Sequence, residues 1–285
     1  MPGYRARIVH VDVDRLVAIA EADYHTPPNL VRLAQAEAAA NNASYLSWPT
    51  WPENQRVRMI ATIRPQADLL RANEKFLNDT RARRDAVLFL PFRRWMETNR
   101  CAASHLATEL TRANVQYEIV SEDNFTAAGL KGARALLVES ASVLNAQETA
   151  VMEKFQRGGG RVVVADQRDW LDSLRQAIGS PSVTLRGPAT MRAMVRDQRG
   201  RTIFHLLNLD VRRLSSFEDK VTAATNVQLT CRVPFRNVRS VRALTADADA
   251  TAGPLPFTVR RDGKDSVVEI SVPRVEIATL LLIEG

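Results

Sequence analysis

Three runs decide the fold: AVLFLP at 86–91, ARALLV at 133–138 and RVVVA at 161–165. Each is short and nearly continuously apolar, as a parallel strand covered on both faces must be. Between them the pattern turns helical. A helix is expected at about 100–113, then a short strand at 117–120. Another helix begins at Asn145 and places Ala146, Ala150, Val151 and Phe155 on or near one stripe. Gly158-Gly159-Gly160 stops it, and a closing helix follows at 170–178. Strands alternating with helices predict a flavodoxin-like, doubly wound α/β domain over 83–179.

The flanking segments differ in texture. In 1–82, IVHVDV (8–13) alternates like a strand and LVAIAEADY (16–24) is a second apolar run. Thr26-Pro27-Pro28 opens a helix over 29–40, with Thr26 as an N-cap type. ASYLS (43–47) and a long helix at 53–77 follow, which is the rhythm of parallel β/α units. Beyond Gly179-Ser180-Pro181 the chain reads as strands, at 191–196, 202–209, 227–233, 238–244, 257–261, 267–272 and 277–283. Turn signals such as Arg261-Asp262-Gly263 separate them, which predicts a β-sandwich over 180–285. The fold class expected is α/β plus all-β.

Composition narrows the function classes. With 285 residues the chain has room for two domains or three small ones. The 39 basic and 32 acidic residues leave a net charge of +7, but the basic residues are spread along the chain without interleaved aromatics, so no nucleic-acid partner is expected. No apolar run reaches the roughly 18 residues of a membrane helix, and no signal peptide is read, so the expected location is cytoplasmic with no membrane contact. Cys101 and Cys231 are too few for a structural zinc site and read as small buried hydrophobes.

The order of parts, VLFLPFRRW, then LTRANVQYEIVSEDNF, then ARALLVESASVLNAQETAVMEKFQRGGGRVVVAD, resembles the trimerisation domain of family 42 β-galactosidases and related clan A glycoside hydrolases. That resemblance implies a glutamine-amidotransferase-like fold without the amidotransferase site, following a (β/α)8 barrel and preceding a small β-domain. VVEISVPRVEIATLLLIEG is similar to the closing strands of such β-domains. Residues 1–82 would then be the tail of the barrel, with LVAIAEADYHTPP as its seventh strand and loop and ASYLSWPTW as its eighth. The family nucleophile is a Glu at the end of strand seven, and Glu21 matches that position. The acid/base of strand four has no counterpart here.

Read as residues, Glu21, Asp23 and His25 gather at a strand end, where barrel enzymes place their chemistry. Glu21 and Asp23 are two apart and share a side of an extended strand. His25 can orient a sugar hydroxyl, and Trp48 and Trp51 can offer flat faces to sugar rings. The alternative keeps Glu21 and Asp23 as solvated carboxylates, His25 as a cap of the next helix, and the tryptophans as packing. Glycoside hydrolysis needs two carboxyl groups, so the chain is expected to be inactive alone.

Other motifs carry less. Cys101 and His105 are at i, i+4 spacing, but the turn after RVVVA reads Asp166-Gln167-Arg168 without a Cys or Ser. The segment 92–99 reads as a glycine-free loop, poor for a nucleotide or flavin, whose Arg93 and Arg94 can meet an anion or a neighbouring subunit. No cofactor or metal is expected. The partners expected are a carbohydrate and either further copies of the chain or the missing part of a barrel. The resulting function is support of assembly and of a carbohydrate site in a β-galactosidase-like protein. The rivals are a non-catalytic oligomerisation or carbohydrate-binding scaffold and a small enzyme using the α/β domain.

Overall fold

The structure, a computed structural model, describes residues 5–12, 15–21, 26–46, 51–263 and 265–285, with only the backbone at 5–12, 15–21, 44 and 46. In chain order the first segment holds β1 (Arg5–Asp12), β2 (Arg15–Glu21), α1 (Pro28–Ala40), β3 (Ala43–Leu46), α2 (Glu53–Ala72) and β4 (Arg81–Ala82). The middle holds β5 (Ala86–Leu90), α3 (Phe92–Thr98), α4 (Ala103–Arg112), β6 (Tyr117–Ser121), β7 (Ala135–Val138), α5 (Ala146–Arg157), β8 (Arg161–Val164) and α6 (Trp170–Ile178). The last holds β9 (Val183–Arg186), β10 (Met191–Gln198), β11 (Arg201–Asn208), β12 (Val211–Arg213), β13 (Asp219–Val221) and β14 (Ala224–Val233). It ends with β15 (Ser240–Thr245), β16 (Gly253–Pro254), β17 (Phe257–Asp262), β18 (Asp265–Val275) and β19 (Ala278–Glu284). The described residues therefore form a mixed fold of one parallel sheet, several antiparallel pairings and six α-helices.

The chain makes two compact units, residues 82–184 and the rest. In the 82–184 unit four parallel strands lie in the order β6-β5-β7-β8. Ala86 and Leu88 of β5 face one side with Ala135 and Leu137, packed under Ala103, Leu106 and Leu110 of α4 and Leu174 and Ile178 of α6. Val87 and Phe89 face the other side with Leu136 and Val138, packed against Phe125, Leu130 and the α5 residues Val151 and Phe155. Both faces of the sheet are covered, which is why these strands are apolar without alternation. A capping box starts α5: Glu148 N donates to Asn145 Oδ1 at 2.9 Å and Asn145 N donates back to Glu148 Oε2 at 2.8 Å. The glycine triplet ends it as expected. Gly159 has φ +91°, and a Cβ on Gly160 would meet the Phe155 ring at 2.4 Å.

In the other unit a six-stranded sheet runs β16-β15-β19-β11-β10-β4 and a four-stranded one runs β17-β18-β14-β9. Within them β10–β11, β11–β19, β15–β19, β15–β16, β14–β18 and β17–β18 pair antiparallel. β18 buries Val268, Ile270 and Val272 while Glu269 and Ser271 are exposed, the period of a strand with one wet face. β19 is buried on both faces. Leu30, Leu33, Ala36 and Ala40 of α1 pack on Leu207, Ile277 and Ala278, so the first and last segments share a core. The buried Arg32 of α1 pairs with Asp247, which also accepts Ile277 N–H at 2.9 Å and Ala278 N–H at 3.2 Å.

Several local expectations change. β1 and β2 pair antiparallel. Only residues 13 and 14 separate them, and a parallel neighbour needs a crossover of about a dozen residues. β2 and β3, joined through α1, do pair in parallel. Thr26 does not cap α1; the N-cap is Pro27, because the chain stays extended ahead of the two prolines. Segment 92–98 is helix α3, closed by Asn99 at φ 53°. Cys101 lies two residues before α4, so it does not share a helix face with His105. β9, β12, β13 and β16 are strands that the sequence does not announce.

Candidate functional site

The site anticipated near Glu21 rests on β2 and β3. Their parallel register aligns Leu16 with Ala43 and Ile19 with Leu46, so both strands end on the same side. Glu21 is the last residue of β2, and its backbone pairs with Arg5 on the antiparallel side. Its side chain lies outside what is described. Asp23, His25 and Trp48, in the segments 22–25 and 47–50 that leave those strand ends, also lie outside the described residues.

Thr26 and Trp51 are the first described residues after these segments. The Trp51 indole N–H donates to the Thr26 carbonyl at 3.4 Å, joining the stretch after β3 to the stretch after β2. Trp51 itself is 5% exposed and packs against Val31 and Met59, with Tyr45, Ile60, Ile63 and Phe217 around them. Its ring is a core element between α1 and α2.

In an open α/β sheet, ligands bind outside the carboxyl ends of the strands. In the 82–184 unit that edge is filled by ion pairs. Arg93 Nη2, on α3 after β5, donates to Glu148 Oε1 at 2.6 Å, and Arg93 N donates to Glu122 Oε1 at 2.9 Å. Arg94 Nη1 donates to Glu139 Oε1 at 2.7 Å, and the other Glu139 oxygen accepts Ala102 N–H at 2.6 Å. Glu148 raises the Arg93 guanidinium further above its already high value. The two arginines expected to meet an anion or a subunit thus meet carboxylates of their own domain. Each of these carboxylates is held by an arginine or a backbone donor, which suits structure and not proton transfer.

The Cys101 and His105 spacing carries no more. The Cys101 thiol is pushed up by burial, and its Sγ accepts from Ala103 N at 3.4 Å. His105 is exposed on α4. Asp166-Gln167-Arg168 after β8 brings no Cys or Ser to the sheet edge. Among the described residues no three His, Cys, Asp or Glu side chains group to hold a metal. The Glu122, Glu139 and Glu148 network escaped the sequence reading. Its signal was present in part: Glu122 and Glu139 each follow directly on a strand, and Asn145-x-x-Glu148 is a capping-box spacing.

No family model and no curated protein matches the sequence. Solved structures do. The fold is similar to Alpha-L-fucosidase isoenzyme 2 from Paenibacillus thiaminolyticus, with TM-score 0.67 and 12% identity over 91% of this chain and 57% of that one. It is also similar to Gan42B, a GH42 beta-galactosidase, with TM-score 0.55 and 8% identity over 98% of this chain and 53% of that one. A catalytic mutant of Gan42B from G. stearothermophilus gives TM-score 0.52 at 8% identity, over 93% and 52%. The chain therefore spans little more than half the length of these enzymes. At such identities the likeness is one of architecture: the chain has a glycoside-hydrolase-like fold.

Proposed function

We propose that this chain is the C-terminal region of a β-galactosidase-like glycoside hydrolase, supporting assembly and the architecture of a carbohydrate site instead of turning over substrate alone. The observation that carries the reading is the lopsided fold match. More than nine-tenths of this chain is used, against 57% and 53% of the fucosidase and galactosidase chains. On this reading residues 1–82 are the tail of a (β/α)8 barrel, 83–179 the flavodoxin- or amidotransferase-like domain, and 180–285 a β-sandwich. The strand order β6-β5-β7-β8 and the ion-paired sheet edge support a middle domain without chemistry. The parallel β2–β3 pair supports a barrel tail, and the antiparallel β1 departs from it. Glu21 would be the nucleophile of the completed site, with Asp23, His25 and Trp48 around the sugar and Trp51 packed between α1 and α2. A cytoplasmic location goes with this reading.

The test is turnover of aryl β-galactosides and aryl α-L-fucosides by the purified chain and by its Glu21→Gln variant. No turnover is expected from either, because one carboxyl of the pair is missing. Galactosidase activity of the chain that disappears in Glu21→Gln would overturn the supporting role. A second reading, a non-catalytic oligomerisation or carbohydrate-binding scaffold, is favoured by α3, where Phe92 and Trp95 are 44% and Met96 70% exposed. Sedimentation of the chain beside its Trp95→Ser/Met96→Ser variant addresses it: a loss of self-association in the variant supports the scaffold.

A further inference from the structure

Of the twenty residues of α2, only Met59 and Gln66 are buried. Gln66 is 2% exposed, and so is His205 in the middle of β11. Both line one small cavity, whose walls include Ala36, Leu69, Leu70, Leu207, Ala278 and Leu280. The Gln66 Oε1 and His205 Nε2 atoms are buried, and neither has a hydrogen-bond partner among the described residues. Thr279 also borders the cavity, but it pairs with Leu206 while His205 pairs with Leu280. Alternation therefore puts its hydroxyl on the opposite face of the sheet. The cavity has about 10 Å³ of room for the centre of a water molecule, which is enough for about one.

We propose that a single buried water occupies this cavity and bridges Gln66 on α2 to His205 on β11. The water donates one hydrogen to Gln66 Oε1 and exchanges its second hydrogen bond with His205 Nε2. The chemistry of the lining selects a small neutral donor. An anion finds an amide oxygen acceptor on one side. A cation finds no carboxylate and only one oxygen, where hard cations take six or more. The imidazole itself stays neutral, because burial first and the Arg196 charge second push its pKa down to about 3. Since α2 buries so little else, this bridge is its polar attachment to the sheet at mid-length.

The experiment combines a crystal structure of the chain, at a resolution that shows waters, with urea unfolding of Gln66→Leu, His205→Phe and the double variant. One water within hydrogen-bond reach of both atoms is expected. Gln66→Leu alone should lower the folding equilibrium constant about ten-fold, by stranding His205, and the double variant should recover most of that loss. An empty cavity, a Gln66 amide turned to bond His205 directly, or a Gln66→Leu protein as stable as the parent would each overturn the proposal. The crystallographic arm decides the matter if His205→Phe fails to fold.

Discussion

Replacing Asp247 by Asn removes the anion that neutralises Arg32 beneath α1, and the cost can be worked from the surroundings. The two side chains are 10% and 2% exposed, so little solvent screens either charge. Without Asp247, Arg32 keeps the Asn29 Oδ1 acceptor at 3.1 Å, and its Nε already has no partner among the described residues. Leaving one partner of a buried pair uncompensated costs about 3–5 kcal/mol. The converse change, Arg32→Met, is milder. Asp247 retains the Ile277 and Ala278 N–H donors and the Thr245 hydroxyl at 3.3 Å, so a loss of about 1–3 kcal/mol is expected. The double variant Arg32→Met/Asp247→Asn should be less destabilised than the sum, with a coupling of about 1–2 kcal/mol. Urea unfolding followed by circular dichroism measures all three, provided the slope against urea stays constant. Two single variants within about 0.5 kcal/mol of the parent, or strict additivity, would show that α1 is not docked through this pair.

Other outcomes follow from single positions. His205 has a folded pKa of about 3 against an ordinary 6.5, so its contribution is fully present above pH 6.5 and is lost as pH falls towards 3. Stability should drop by up to about 1.4 kcal/mol per pH unit in that window, and His205→Phe should remove this component of the slope. The Cys101 thiol, raised by burial, should react with iodoacetamide near neutral pH no faster than free cysteine, in contrast to a catalytic thiolate. Gly160→Ala should destabilise the 82–184 unit by about 1–3 kcal/mol, because its Cβ meets the Phe155 ring at 2.4 Å. A thermal melt beside the parent checks this.

The parts that the sequence disclosed were those with strong local pattern. AVLFL, ALLV and RVVV declared a sheet covered on both faces, and the structure pairs them in parallel between two helical layers. The long strands of the last segment were similarly legible from alternation and turn residues. What the sequence hid was mostly non-local. The core shared by Leu33 and Leu207 and the pairing of Arg32 with Asp247 join residues far apart in the chain, and no local period encodes them. The two-residue strand β16 carries too little pattern to register. At the candidate site, the alignment of the β2 and β3 ends follows from the βαβ unit that the sequence suggested. The burial of Trp51 does not, because a tryptophan beside a proline reads equally as a sugar platform or as a core anchor. The arginines of α3 were visible, but their glutamate partners follow other strands (Glu122, Glu139) or sit in the first turn of α5 (Glu148).

On the proposed reading, this fold supports a carbohydrate site without completing one. Hydrolysis of an aryl β-galactoside by the purified, folded chain tests it most directly. No release of the aryl group above the uncatalysed background is expected, with Glu21→Gln indistinguishable from the parent. Turnover by the chain alone that vanishes in Glu21→Gln would contradict it.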